Sequence, residues 1–416
     1  MPGLIGIGVG PGDVELLTVK AVKAIQNADI IMCPASKETR PSIALSVVSS
    51  IIDKSKNQEI IKLIFPMTKD KDILEESWKR NAKIMAETVL KGKNVVYLTV
   101  GDPYLYSTWI YMHRDLKEKY PDMNISVVPG IVSIFSFASK VGVSVAEGAE
   151  KVAIIPSCYD LSSVKEIARH SESMIFLKDG RYFDQVIEVL KESGFPDDSL
   201  FAIGQDLGTE NEIIRTMTWG EVNDESLIDK SKNQEIVKLI FPMTKDKDIL
   251  EAHWKENSKI MAEKVLSGNN VVYLTVGDPY LYSTWIYMHR EIRQNHPEMK
   301  ITVIPGIVSM FTFASKVGVS IAEGAEKVAI IPSCYDLSSV KEIAKNSEVL
   351  VFLKDGRYFD QVIELLKESG FPDNSIFAIG QDLGTENEII RKLTLGEVND
   401  DTLTTKYFSI LVVKRV

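Results

Sequence analysis

The chain has 416 residues, of which 45% are hydrophobic and 25% charged, with a formal net charge of −10. That length suits two to four domains. An acidic balance without a Lys/Arg-dense stripe argues against a nucleic-acid partner. No apolar run approaches the roughly 18–20 residues that span a bilayer, and Met1-Pro2-Gly3-Leu4-Ile5 lacks the basic start of a signal peptide, so no membrane association and a cytoplasmic location are expected. Cys33, Cys158 and Cys334 are far apart without C-x-x-C spacing; they read as reduced structural residues, and no metal site is expected.

Leu4 to Val9 is a short apolar strand ending in Gly8-Val9-Gly10-Pro11-Gly12-Asp13, and Glu15 to Asn27 has the spacing of an amphipathic helix. Strands are expected at Ala28–Cys33, Glu59–Phe65, Val95–Val100 and Ile125–Val128, with helices at Ser42–Ile52, Asp72–Lys91 and Thr108–Lys119. Alternation of this kind predicts a parallel doubly wound sheet. The strand at Val95 runs into Gly101-Asp102-Pro103, which exposes its carboxyl edge, where ligands sit in open α/β sheets. Beyond Pro129, helices at 131–141, 162–169 and 183–192 alternate with strands at 151–156, 173–177 and 199–203, and a hairpin-like piece covers 212–219. A smaller mixed α/β lobe follows.

The text then repeats. Asp53-Lys54-Ser55-Lys56-Asn57-Gln58 returns as Asp229-Lys230-Ser231-Lys232-Asn233-Gln234, an offset of 176 (Asp53 to Asp229) that holds without a gap to Asp224/Asp400. Units this long indicate a tandem duplication and not a solenoid. The second copy has no counterpart of residues 1–52, so it lacks the first two strands and the glycine turn. The first copy has no counterpart of the apolar stretch Tyr407–Lys414. Four lobes are expected: a complete N-lobe (1–128), a C-lobe without its own last strand (129–228), a truncated N-lobe (229–304) and a complete C-lobe (305–416). The segment Ile236–Phe241 is a candidate to close the first C-lobe; otherwise the complete N-lobe would pair with the complete C-lobe.

The first glycine turn fails the dinucleotide fingerprint G-x-G-x-x-G: counted from Gly6, Pro11 holds the last place, and counted from Gly8, Asp13 does. Gly and Pro there suit close backbone approach to a ligand. Gly101-Asp102-Pro103 reads either as a plain strand-ending turn or as a site whose backbone groups and carboxylate meet a cofactor. Ser107 and Thr108 would serve the latter or cap the next helix. His113 and its copy His289 read as ordinary helix residues, and Tyr104 and Tyr106 as packing residues before bases.

Together, Gly8–Asp13, Gly101-Asp102-Pro103 and Val127-Val128-Pro129-Gly130-Ile131-Val132-Ser133 resemble the tetrapyrrole (precorrin) methyltransferases. Phe65-Pro66-Met67, the run Gly101 to Thr108, and Leu177-Lys178-Asp179-Gly180-Arg181 are most similar to the precorrin-2/cobalt-factor-II C20-methyltransferases of cobalamin synthesis. The resemblance covers 1–224 and again 229–416. It implies a two-lobed α/β fold that binds S-adenosyl-L-methionine between the lobes, with cofactor contacts at Pro11, Gly101, Asp102, Tyr106, Val132, Ser133, Leu177 and Leu207. The tetrapyrrole would lie in the trough alongside. Its ring of carboxylates would call for cations, with Lys37, Arg40, Lys178 and Arg181 as candidates and solvated loop charges as the plainer reading of each. No catalytic base stands out. The family's usual homodimer would be kept or replaced by an intrachain pseudo-dimer, with one competent cofactor site in either case. The rival expectations are a non-catalytic tetrapyrrole-binding scaffold and a methylase of the same fold acting elsewhere.

Overall fold

A computed structural model describes the chain except for residues 1–2, 54, 157–159, 178–182, 196–198, 206–212, 218–238, 242–245, 335, 354–357, 382, 384–386 and 399–409. The apolar runs of the first 128 residues fold as β1 (Leu4–Gly8), β2 (Ile30–Ala35), β3 (Glu59–Ile64), β4 (Val95–Thr99) and β5 (Ile125–Val128). Between them lie α1 (Val19–Asn27), α2 (Ile43–Val48), α3 (Lys71–Leu90) and α4 (Trp109–Lys119). The helix starts are set locally. Thr18, Ser42 and Asp70 accept hydrogen bonds from Ala21 N–H, Leu45 N–H and the N–H groups of Asp72 and Ile73, filling donors that a helix leaves open. The apolar spacing predicts one helix from Glu15; instead Asp13 caps one 3-10 turn at Val14–Leu16 and Thr18 restarts the chain as α1.

The five strands are all parallel, in the order β3-β2-β4-β1-β5. From β1 the chain turns toward β2, and α1 and α2 cover the face that carries Ile7, Val9, Val96 and Leu98. From β4 it turns toward β5, and α3 and α4 cover the other face with Tyr97, Met85 and Trp109. Neighbouring strands whose helices leave to opposite faces make the switch point where α/β sheets open a crevice. Here it lies between β1 and β4.

The first C-lobe contributes α5 (Ser133–Val141), β6 (Val152–Ile155), α6 (Leu161–Ala168), β7 (Ser173–Phe176), α7 (Phe183–Glu192), β8 (Phe201–Gln205) and β9 (Ile213–Met217). The second copy contributes α8 (Lys247–Leu266), α9 (Trp285–Asn295) and α10 (Ser309–Val317). Its C-lobe then runs β10 (Val328–Ile331), α11 (Leu337–Asn346), β11 (Val349–Leu353), α12 (Phe359–Glu368), β12 (Ile376–Gln381), β13 (Ile389–Thr394) and β14 (Ile410–Lys414).

The two C-lobes share one seven-stranded mixed sheet, β13-β12-β14-β11-β10-β6-β7, in which β6 and β10 join the copies antiparallel. β14 lies between β11 and β12 and pairs antiparallel with both. Among the described residues the first copy has no strand in that place, and β8 and β9 pair only with each other. Closure by Ile236–Phe241 is not what the described part of that segment does: 236–238 lie outside the described residues, and Leu239–Phe241 form no strand. Asn257 Nδ2 donates to Ile240 O at 2.9 Å, repeating the Asn81 to Ile64 bond at 3.0 Å in the first copy. That side-chain bond holds the segment against α8, in the second N-lobe.

The copies meet through reciprocal contacts. Tyr106 N–H donates to Ala322 O at 2.8 Å and Tyr282 N–H to Ala146 O at 2.9 Å. The two tyrosine hydroxyls donate to Glu326 O and Glu150 O, each at 2.7 Å. Arg114 pairs with Glu323 and Arg290 with Glu147. Phe135 and Phe311 meet edge to face. Each surface thus engages its own counterpart, the pattern of an isologous dimer within one chain.

The truncated N-lobe differs sharply. The sequence Val-Val-Tyr-Leu-Thr forms fully buried β4 in the first copy, whereas at 271–275 it forms no strand. Val96 and Leu98 are 1% and 0% exposed; Val272 and Leu274 are 76% and 85% exposed. Because the five residues are identical, their intrinsic exchange chemistry matches, and only structure separates them. Amide hydrogen exchange is therefore expected to run at least ~100-fold faster at 271–275 than at 95–99. Equal protection would contradict the open second lobe.

Candidate functional site

The site grows from three glycines at the carboxyl ends of adjacent strands. Gly8 ends β1, Gly101 follows β4 and Gly130 follows β5. A Cβ on Gly8 would lie 2.5 Å from both Gly101 O and Gly130 N; one on Gly130 would lie 2.1 Å from Gly101 O. No side chain fits between backbones that close, so Gly8 and Gly130 must be glycine. Gly101 N–H donates to Gly10 O at 2.9 Å and Val9 N–H to Thr99 O at 2.8 Å, which ties the first two loops together. Gly101 has φ 71° and open space where its Cβ would be.

Asp102 ties in the third loop. It is 1% exposed, and its Oδ1 accepts from Tyr104 N–H at 2.8 Å while Oδ2 accepts from Gly130 N–H at 3.0 Å. Burial raises its carboxyl to about 7, against the lowering effect of those two N–H groups. The carboxylate thus fixes the backbone of the second and third loops where they converge.

The other expected residues are placed as follows. Pro11, Val132 and Ser133 come to the same crevice: Pro11 follows the first glycine turn and is buried, and Val132 and Ser133 stand at the start of α5, where no side chain caps the helix. Its first-turn N–H groups suit an anionic or hydroxyl oxygen. Leu177 follows β7, half-buried, with its N–H on Ile155 O. Tyr106 adopts φ 51° and spends its hydroxyl on Glu326 O of the second copy, so its side chain anchors the interface and only its backbone is left for a ligand. Leu207, Lys178 and Arg181 lie outside the described residues. Lys37 and Arg40 are exposed on the turn after β2, where Arg40 N–H donates to Lys37 O and Lys62 Nζ holds Glu38 O. They share the carboxyl edge of the sheet with the glycine loops.

Packing explains the residues that sequence leaves open. Ser107 Oγ accepts from Trp109 N–H and bonds Thr99 Oγ1, inside the β4–α4 turn. Tyr104 and His113 are buried, 3.3 Å apart, and burial lowers the imidazole to about 4, so it is neutral at pH 7. Among the described residues no cluster of His, Cys, Asp or Glu could hold a metal, and no helix is long and apolar enough to cross a membrane. Gly8 and Gly130 lie inside the sequence motifs without standing out there; spacing cannot reveal a clash between distant backbones.

Two stretches, 3–223 and 223–399, match the family Tetrapyrrole (Corrin/Porphyrin) Methylases. The chain belongs to that family. "Probable cobalt-precorrin-2 C(20)-methyltransferase" of Methanocaldococcus jannaschii is 36% identical over 205 residues, 47% of this chain and 84% of the relative. "Precorrin-2 C(20)-methyltransferase" of Sinorhizobium is 27% identical over 231 residues, 54% of this chain and 91% of the relative. An X-ray structure of a cobalt precorrin-4 methyltransferase matches at 20% identity with a TM-score of 0.40, covering 52% of this chain and 85% of that one. Each relative therefore spans about one copy of this tandem methylase.

The space over Gly101, beside the glycine backbone of the first turn, is open. The Asp102 clamp gives a pH signature. Its carboxyl is raised from ~3.9 in an unfolded chain to about 7, so its contribution to stability falls as pH rises between those values and is flat above. His113 and His289, lowered to about 4 by burial, act in the opposite direction. Asp102→Asn removes only the first effect. The stability of wild type minus that of Asp102→Asn, measured by denaturant unfolding, is expected to shrink by a few kcal/mol from pH about 4.5 to about 7, at ~1.4 kcal/mol for each pH unit, and to level off above. A difference independent of pH would contradict a buried, proton-binding Asp102.

Proposed function

We propose that the chain transfers a methyl group from S-adenosyl-L-methionine to C20 of precorrin-2 or cobalt-factor II in cobalamin biosynthesis. The observation that carries this reading is the intact glycine clamp at the β1/β4 switch point, in a chain whose relatives bear that name. The cofactor supplies an electrophilic methyl on sulfur. The chain's part is positional: the backbone of Gly8–Pro11, Gly101, Tyr106, Val132 and Ser133, with Leu177 and Leu207, would hold the sulfonium in line with the ring carbon and keep water out. Lys37, Arg40, Lys178 and Arg181 would face the substrate's carboxylates. Asp102 is shielded and already accepts two N–H bonds, so it is not assigned as the base that removes the ring proton.

The second copy carries a different part. Asp278 repeats the clamp, accepting from Tyr280 N–H and Gly306 N–H at 2.9 Å each, but the β1 turn that would complete a cofactor crevice has no counterpart there. Copy two thus serves as the partner half of an intrachain pseudo-dimer, which is where the scaffold reading applies.

Calorimetry with S-adenosylhomocysteine is expected to give one site per chain with a Kd on the order of 1 µM, about −8 kcal/mol. Gly8→Val is expected to abolish it, and Gly277→Val to leave it within about twofold. Two equal sites, or loss of binding through Gly277→Val alone, would overturn the assignment.

A further inference from the structure

The second N-lobe keeps a slot shaped by the elements it lacks. In the first copy, β1 lies between β4 and β5, with Leu4 opposite Val95 and Ile125 and Ile7 opposite Leu98 and Val128. Helices α1 and α2 then cover Val96 and Leu98. The residues matching Val96, Leu98 and Val128, namely Val272, Leu274 and Ile304, are 76%, 85% and 71% exposed. They form an apolar surface, and apolar patches of this kind mark interaction sites.

The mouth of the slot is nonetheless formed. A Cβ on Gly306 would lie 1.9 Å from Gly277 O, as one on Gly130 would lie 2.1 Å from Gly101 O. Asp278 holds the two loops together as Asp102 does. Trp285 is packed at 7% exposure with Tyr273 stacked on it, repeating the Trp109–Tyr97 pair. The patch is continuous with the established interface between the copies, since Tyr280 O and Tyr282 N–H, in the loop after Asp278, bond Val145 and Ala146 of the first copy.

The first copy shows what such a slot accepts. A Cβ on Gly6 would come within 2.6 Å of the Trp109 indole, and one on Gly8 within 2.5 Å of Gly101 O. An incoming strand must therefore carry glycine at two alternate positions, run parallel to both neighbours, and be followed by a helix with an apolar stripe like Ala21 and Ile25. The β1 of another folded copy is a poor donor, because Leu4 and Ile7 are already fully buried in their own sheet.

We propose that residues 271–276 and 301–304 form a strand-accepting site for a βαβ polypeptide segment in trans, with the x-x-Gly-x-Gly strand pattern of Leu4–Gly8. The inference goes beyond methyl transfer and is independent of it. Binding is β-augmentation: backbone pairing supplies affinity and the two glycine positions supply selectivity, with the segment ordering as it docks.

The test titrates a labelled fragment of residues 1–52 into the full chain and follows hydrogen exchange. One fragment per chain is expected, with Kd ~10 µM or tighter, and new protection at 271–275 and 301–304. Gly6→Val and Gly8→Val fragments are expected to bind at least ~10-fold more weakly. Leu274→Glu in the full chain, a change at an exposed position that leaves the fold intact, is expected to weaken binding by a similar factor. Absence of binding, protection of 95–99 in place of 271–275, or equal binding by the glycine variants would overturn the proposal. So would protection of 271–275 that appears with chain concentration alone, since a second copy would then be the occupant.

Discussion

The approach of three backbones at Gly8, Gly101 and Gly130, closer than any side chain permits, is the constraint on which the rest depends. It requires β1 to lie between β4 and β5, so that their carboxyl ends converge. Convergence leaves the N–H groups of Tyr104 and Gly130 facing inward, and Asp102 answers both. A buried carboxylate costs solvation, which is why its proton is held up to about 7. The crevice is thus prepared by the strand order and held by one side chain.

The tandem repeat supplies an internal control. Remove β1 and β2 and the same strand sequence remains unpaired at 271–275, its face toward the missing helices open to solvent. Each exposed Val or Leu forgoes ~1.5–3 kcal/mol of burial, so the second N-lobe keeps only what its helices and the interface sustain. What survives is telling. The Asp278 clamp, the Tyr280–His289 contact and the Trp254–Tyr287 stack all face the first copy or the shared core.

Much of this was legible in the residues. The alternation of β-branched runs with amphipathic helices specified a parallel sheet, and the identical hexapeptide at Asp53 and Asp229 specified the duplication. Missing pieces of sequence also translated directly into strands that are absent among the described residues of the second N-lobe. The long-range pairings were not legible. Nothing near Tyr106 announces that its hydroxyl reaches Glu326, 220 residues away. Ile236–Phe241 has strand composition, yet the Asn257 side chain holds Ile240 in the second N-lobe, because a contact 17 residues distant outweighs a sheet edge much farther along the chain. Asp102 was recognisable as a special residue, but its second partner, Gly130 N–H, comes from a loop 28 residues on, so its role as a clamp emerges only in three dimensions.

The central claim is that one crevice, built by the first copy and braced by the second, receives the cofactor. A crystal structure of the full chain grown with saturating S-adenosylhomocysteine tests it most directly. The account predicts one ligand, seated against Gly8–Pro11, Gly101 and Val132. A second ligand beside Gly277, or a single ligand there and none at Gly101, would contradict it.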